Sequence, residues 1–308
     1  MGQICYNDLT EGQSALQKEG RRVLYLSEFT FPDGDREFDF RQTVKRKCYD
    51  SFYPFGVLSR HDLTRLTFEP ITILYGGNGC GKTTAINVIA EKLQLERDTL
   101  YNRSSFFEDY TRLCSYDLRG EIPQGSRIIT SDDVFDFMLN LRSINSGIDM
   151  RREELFEDWV DKKFAKFQLK SLDDYEQLKR INLARGNTQT QYVRKSLMDN
   201  VREQSNGESA FFYFTSKIKD DGLYLLDEPE NSLSPARQQE LMQFIEDSAR
   251  FFGCQFIIAT HSPFILAMRG AKIYDLDADP VSTARWTELP AVRAYYEFFK
   301  KHEGAFED

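Results

Sequence analysis

The spacing of apolar residues changes character twice along the chain. From Val23 it runs through Val23-Leu24-Tyr25-Leu26 and then Phe29, Phe31, Phe38 and Phe40, around the turn Pro32-Asp33-Gly34-Asp35. Alternating aromatics about such a turn predict a β-hairpin. Leu66 to Phe68 and Ile71 to Tyr75 read as further strands, the second apolar throughout and so expected at the centre of a sheet. Between about residues 98 and 204 the spacing shifts to three and four, as at Leu155, Trp159 and Phe164, which predicts helices. One short strand candidate, Arg127 to Thr130, interrupts them. The strand pattern returns at Leu223 to Leu226, Gln255 to Thr260 and Lys272 to Leu276, with a helix from Pro235 to Phe252 between the first two. Strand, helix, strand in that order predicts a parallel crossover. An amphipathic segment, Ala291 to His302, closes the pattern.

These changes divide the chain into a leader (1–22), a head formed by 23–90 and 204–289, a mainly helical insertion (91–203) and a C-terminal helix (290–308). Composition narrows the classes. With 308 residues the chain can bury a core without disulfides or metals. Forty Lys and Arg against forty-nine Asp and Glu leave a net charge of -9, which argues against coating nucleic acid through bulk charge. The longest apolar runs, such as Phe264 to Met268, fall far short of the ~20 residues that span a bilayer. Five scattered cysteines without a CxxC pair read as free thiols, and the expected location is the cytoplasm.

The candidate chemistry begins where Ile71 to Tyr75 runs into Gly76-Gly77-Asn78-Gly79-Cys80-Gly81-Lys82-Thr83-Thr84 and a helical stretch. Strand, G-x-x-x-x-G-K-T, helix is the context a phosphate loop requires. Glycines let backbone N–H groups curl around phosphate, and the helix adds its positive N-terminal dipole. Lys82 is placed to reach the β- and γ-phosphate oxygens, and Thr83 to offer its hydroxyl to Mg²⁺. A chance match in a chain of this length is about a 1% event. Cys80 reads either as a small loop residue or as a thiol activated by nearby amides and Lys82.

Leu223 to Leu226 ends in Asp227-Glu228-Pro229-Glu230. Asp227 is placed to support Mg²⁺ and Glu228 to orient and deprotonate an attacking water. The next strand ends in Thr260-His261-Ser262-Pro263, and the carboxyl ends of parallel strands are where such sheets build their sites. His261 is thus a candidate γ-phosphate ligand.

The order G-x-N-G-x-G-K-T, S-N-G-E, L-L-D-E-P-E and T-H-S-P resembles the ABC-type P-loop ATPases, in the branch of SMC proteins and OLD-type nuclease ATPases. It looks most similar to small stand-alone bacterial "AAA family" ATPases found in phage-defence or toxin–antitoxin operons. The resemblance covers roughly residues 23–90 and 204–280. It implies an α/β head with a mixed central sheet, an N-terminal antiparallel β-subdomain and a helical insertion, hydrolysing ATP with Mg²⁺. It also implies that Ser205 and Gly207, in Ser205-Asn206-Gly207-Glu208, close over the γ-phosphate of an opposite subunit, giving a head-to-tail homodimer around two ATP molecules. As residues alone, that tetrapeptide reads equally as a helix N-cap.

Two positions depart from the family pattern. Ser234 stands where relatives often carry His in L-H-P, and Ser131-Asp132-Asp133 stands where a Gln is usual. Asp132 and Asp133 read either as indirect Mg²⁺ supports or as a cap for the helix that follows.

The resemblance further implies a switch that controls a partner effector, in antiphage defence or a toxin–antitoxin system. The rival reading is an SMC-like nucleic-acid clamp in DNA repair or maintenance. Basic residues at 41, 45–47 and from Lys179 to Arg202 suit that clamp or a plain solvated face. A transporter cassette is disfavoured, because S-N-G-E is not the double-glycine signature. Tyr295, Tyr296, Phe298 and Phe299 either dock a partner or pack on their own domain.

Overall fold

In a computed structural model of the protein, residues 23–45, 48–49, 51–164, 175–197, 206–231 and 233–306 are described. The segments 1–22 and 198–205, which include the expected leader and Ser205, lie outside them, as do Arg46, Lys47 and Arg202. Contacts divide the chain into two compact units, one of residues 1–134 and 206–308, the other Phe135–Ser205.

In the first unit, Ile71–Tyr75 (β3) lies between Cys254–Ala259 (β7) and Lys272–Asp275 (β8), all three parallel. Gly222–Asp227 (β6) and Arg127–Thr130 (β5) extend the sheet on the β7 side, and Ser282–Thr283 (β9) closes the other edge antiparallel to β8. Among the described residues the order is therefore β5-β6-β7-β3-β8-β9. Every residue of β3, β6 and β7 is buried, as their unbroken apolar runs require of strands covered on both faces. The register pairs Ile73 with Ile258 and Leu225 with Ile257, so the three strands end at one edge of the sheet.

A second sheet is antiparallel, as expected, but not by the expected hairpin. Leu26–Thr30 (β1) pairs with Arg65–Thr67 (β2) on one side and Ser115–Leu118 (β4) on the other. Gly34–Thr43, read above as the returning strand, is a helix (α1). Asp33 caps it, accepting from the Arg36 N–H at 2.8 Å, and Asp35 and Glu37 favour its first turn, so capping overrides the alternation of Phe38 and Phe40. Strand β4 falls in a stretch expected to be helical. All four of its residues are exposed, which leaves no buried apolar face to announce it. Gln255 fastens this sheet to the main one. Its buried amide accepts from the N–H groups of Tyr25 and Leu26 at 2.8 and 2.9 Å and donates to the Leu26 carbonyl at 2.7 Å, which satisfies a group too costly to bury unpaired.

Lys82–Lys92 (α2), Phe107–Leu113 (α3), Asn206–Lys217 (α7), Pro235–Phe251 (α8), the short Pro263–Leu266 (α9) and Pro290–Lys301 (α10) complete this unit. Ser234 accepts from the Arg237 N–H at 3.4 Å and Pro235 opens α8, so the residue that departs from the family pattern is a helix cap. On α10, Tyr295, Tyr296, Phe298 and Phe299 are all at least half exposed, with the Phe299 and Phe306 ring centroids 6.2 Å apart.

The second unit contains most of Ser131–Phe164 (α4), with Tyr175–Gly186 (α5) and Gln189–Ser196 (α6). Leu155, Ala184, Tyr192 and Val193 form its core, and Phe156, Trp159 and Leu197 pack against them. The Tyr192 hydroxyl donates to Asp158 at 2.7 Å, and the Trp159 ring N–H to the Asn187 carbonyl at 3.2 Å. Among the described residues no helix is long and apolar enough to cross a membrane.

Candidate nucleotide site

The loop between β3 and α2 turns through three glycines in conformations that other residues rarely adopt. Gly76 has φ 158°, Gly79 86° and Gly81 100°. At Gly81 a side chain would also collide, since its Cβ would lie 2.9 Å from Leu58 and 3.3 Å from Val57. Alanine there would carry both the backbone and the steric penalty. Beyond the loop, the first turn of α2 directs Lys82 back over it. The buried ammonium donates to the carbonyls of Gly76 and Gly77 at 2.8 and 3.0 Å.

The strand ends supply the acids. Thr83 Oγ1 donates to Asp227 Oδ1 at 3.2 Å, bringing together residues 144 apart in sequence. Asp227 is buried, and burial pushes its carboxyl up to about 7, helped by the charges of Glu228 and Glu230 and opposed by Thr83 and Lys82. Glu228 follows with φ 48°, a left-handed backbone for a non-glycine residue. Its N–H donates to the Ala259 carbonyl at 2.9 Å, and its Oε2 accepts from Asn231 at 3.0 Å. A cleft of about 170 Å³ is lined by Asn78, Gly79, Gly81, Lys82, Thr83, Thr84, Val57 and Glu228. His261, from the end of β7, has its Nδ1 3.9 Å from Glu228 Oε1 and 3.3 Å from Glu230 Oε1.

These donors suit Mg²⁺, a hard cation that takes few protein oxygens and keeps waters and substrate phosphates as its other ligands. The threonine hydroxyl of Thr83 and the buried carboxylate of Asp227 are the side chains that would hold it. Among the described residues no cluster of three or more His, Cys, Asp or Glu could hold a metal by itself.

Other sequence candidates fall into place or out of reach. Burial pushes the Cys80 thiol up despite Lys82, so it is held as a thiol rather than activated. Asp133 accepts from the Thr130 N–H and hydroxyl at 2.6 and 3.0 Å and from Thr99 at 2.6 Å, which makes it the lock of the α4 start, while Asp132 is exposed. Gly207 lies in the first turn of α7, which begins at Asn206.

Three contacts at the site were not legible in the sequence. Asp277 accepts from the Gly77 N–H at 2.7 Å, across 200 residues. The Tyr53 hydroxyl bonds Thr84 Oγ1 at 3.2 Å. Glu37 on α1 accepts from the Gly56 N–H at 2.6 Å and from Ser59 at 3.0 Å, fixing the loop whose Val57 and Leu58 abut Gly81. A glycine at position 77 carries the amide that Asp277 requires, but nothing local in the sequence indicates which acid would claim it.

A mostly parallel sheet that delivers a phosphate loop, an Asp-Glu turn and a histidine to one edge is the arrangement of a P-loop nucleotide-binding fold. Residues 122–267 match the family described as "AAA domain, putative AbiEii toxin, Type IV TA system". That span includes Asp227, Glu228 and His261 and leaves the phosphate loop outside it. Protein ea59 of Escherichia phage lambda is 24% identical over 282 residues, 74% of this chain and 52% of the phage protein, so the chain spans about half the length of that curated relative. Solved structures with similarity include an SMC head from Pyrococcus furiosus bound to the C-terminal domain of ScpA (14% identity, 76% of this chain and 94% of that one, TM-score 0.38). Another is the ATP-binding cassette MJ0796, a dimer bound to ADP and phosphate (14% identity, 71% and 88%, TM-score 0.34).

Proposed function

We propose that the protein binds and hydrolyses ATP with Mg²⁺. The observation that carries this reading is the convergence of Lys82, Thr83 and Glu228 on one cleft, with Thr83 bonded to buried Asp227. Backbone N–H groups of residues 76–84 and the start of α2 bind the phosphates, and Lys82 neutralises their charge. Bound Mg²⁺ supplies charge neutralisation on the phosphate oxygens. Glu228 orients a water and takes its proton as the water oxygen attacks the γ-phosphorus and the bond to ADP breaks. His261 stands beside Glu228 to bond the γ-phosphate or the attacking water. Positioning and electrostatics carry most of the rate, as in other phosphoryl transfers.

The ATP-bound form in this reading is a head-to-tail homodimer. Ser205, which precedes α7 in the sequence, and Gly207, in its first turn, close each site from the opposite copy, and dimerisation switches a partner effector. The toxin–antitoxin description of the family matched over residues 122–267 supports a defence or toxin-control setting for that switch. Light-scattering mass of wild type and Glu228→Gln, each with and without Mg-ATP, tests it. A dimer that forms only with ATP and persists in the variant is the expected result, and a mass that never responds to ATP overturns the trans roles.

A second reading, a nucleic-acid clamp, is favoured by exposed Lys179, Arg185 and Arg194 on the helical unit. Salt-dependent DNA or RNA binding that is lost when these residues are neutralised would support it.

A further inference from the structure

Glu230 is buried more deeply than either acid of the Asp-Glu pair, at 6% exposure, and the reading above gives it no task. Its Oε1 accepts from the Thr260 hydroxyl at 2.7 Å and the His261 N–H at 2.9 Å, and lies 3.3 Å from His261 Nδ1. Its Oε2 is buried without a hydrogen-bond partner. A buried carboxylate with an unsatisfied oxygen is costly, and an apolar side chain would pack there at less cost. The bonds continue outward. Thr260 Oγ1 accepts from the Ser262 N–H at 3.0 Å, Ser262 Oγ donates to Gln238 at 2.6 Å, and Gln238 donates to the Leu233 carbonyl at 3.0 Å. One carboxylate thus ties the turn after β6 to the turn after β7 and to the start of α8.

We propose that Glu230 is the positioning residue of His261, fixing the imidazole proton on Nδ1 and leaving Nε2 as the proton-free nitrogen of the neutral ring. The inference rests on the ATPase reading for its consequence, not for its geometry. A lone pair on Nδ1 would lie 3.3 and 3.9 Å from two carboxylate oxygens and be repelled by both charges, whereas an N–H there is favoured by them. An unconstrained histidine side chain in water favours the opposite tautomer, with the proton on Nε2. The partner of one ring nitrogen therefore decides what the other can do: a proton-free Nε2 accepts a hydrogen bond from the attacking water and cannot donate to phosphate.

The protein has three histidines, His61, His261 and His302, so ¹⁵N-histidine labelling gives three ring patterns, and His261 is assigned by its loss in His261→Gln. At pH 8 without nucleotide, the wild-type His261 ring is expected as the Nδ1–H form. Glu230→Ala should convert it to Nε2–H and lower kcat roughly tenfold or more with KM within about twofold. Glu230→Gln keeps an oxygen for the Thr260 and His261 donors and should retain the Nδ1–H form and most of the rate. An Nε2–H ring in wild type overturns the proposal, as does an unchanged tautomer in Glu230→Ala. The wild-type spectrum needs neither a stable variant nor turnover. A protein with the Nδ1–H ring that never hydrolyses ATP would overturn the ATPase reading alone, and an active one with Nε2–H would overturn this inference alone.

Discussion

The two compact units hold their shape in different ways. In the first, strands buried along their whole length set the atoms at one sheet edge to within hydrogen-bonding distance, so that Thr83 meets Asp227 and Asp277 meets Gly77 across 144 and 200 residues. In the second, among the described residues, Met138, Leu155, Ile181, Ala184, Tyr192 and Val193 are buried, while Leu139, Ile144, Met150, Val160 and Phe164 of its long helix are exposed. Fully paired strands leave little freedom at their ends, which suits a site that must hold charge in a fixed geometry. The proposed ATP hydrolysis draws on the first unit, a division that substitutions in either unit test.

The sharpest way to break this division is to remove one charge from the sheet edge. Lys82→Ala should lower ATP hydrolysis by about a hundredfold or more and weaken nucleotide binding, measured by phosphate release and equilibrium titration. A comparable loss of packing in the other unit should leave the chemistry alone. Leu155→Ala should cost about 2–4 kcal/mol of that unit's stability, seen as loss of hydrogen-exchange protection around Tyr192 and Val193, with hydrolysis within about twofold of wild type. Collapse of hydrolysis in Leu155→Ala would mean that the two units are not separable.

Asp227 sharpens the comparison from the side of stability. Its carboxyl sits at about 7 in the folded protein and near 4 when unfolded, so the folded state binds the proton more tightly. The charged side chain therefore lowers stability increasingly as pH rises from about 4 to 7, and fully above that. Asp227→Asn should raise the metal-free melting temperature by roughly 4 °C at pH 8 and leave it unchanged at pH 4. Mg²⁺ with nucleotide should stabilise wild type more than the variant. The smallest expected effect is at Asp277. Asp277→Ala removes the Gly77 contact and should weaken nucleotide affinity by about fivefold, the worth of one exposed charge-assisted hydrogen bond. An unchanged affinity would mean that the loop holds its shape without it.

What the sequence made legible follows the same division. The phosphate loop, β6 with Asp227 and Glu228, and β7 with His261 depend on short-range order, where a strand, its end and the next helix lie within a few residues. Strand β5 was readable because Ile128 and Ile129 are buried between half-exposed neighbours. The β4 strand was not, since it buries nothing, and the α1 helix was hidden because its aromatics happen to alternate. Contacts made by Tyr53, Glu37 and Asp277 depend on folding distant segments together, and no local pattern marks them. The roles of Ser234 and Asp133 as caps became clear only once the helices they begin were located.

The central claim is that this sheet edge hydrolyses ATP with Glu228 as the base. Phosphate release from Mg-ATP by wild type and Glu228→Gln, with bound nucleotide measured in the same samples, tests it most directly. The account expects steady release by wild type, and a variant that retains ATP while its release falls at least about a hundredfold. A wild type that binds no ATP, or a variant that releases phosphate at the wild-type rate, would contradict it.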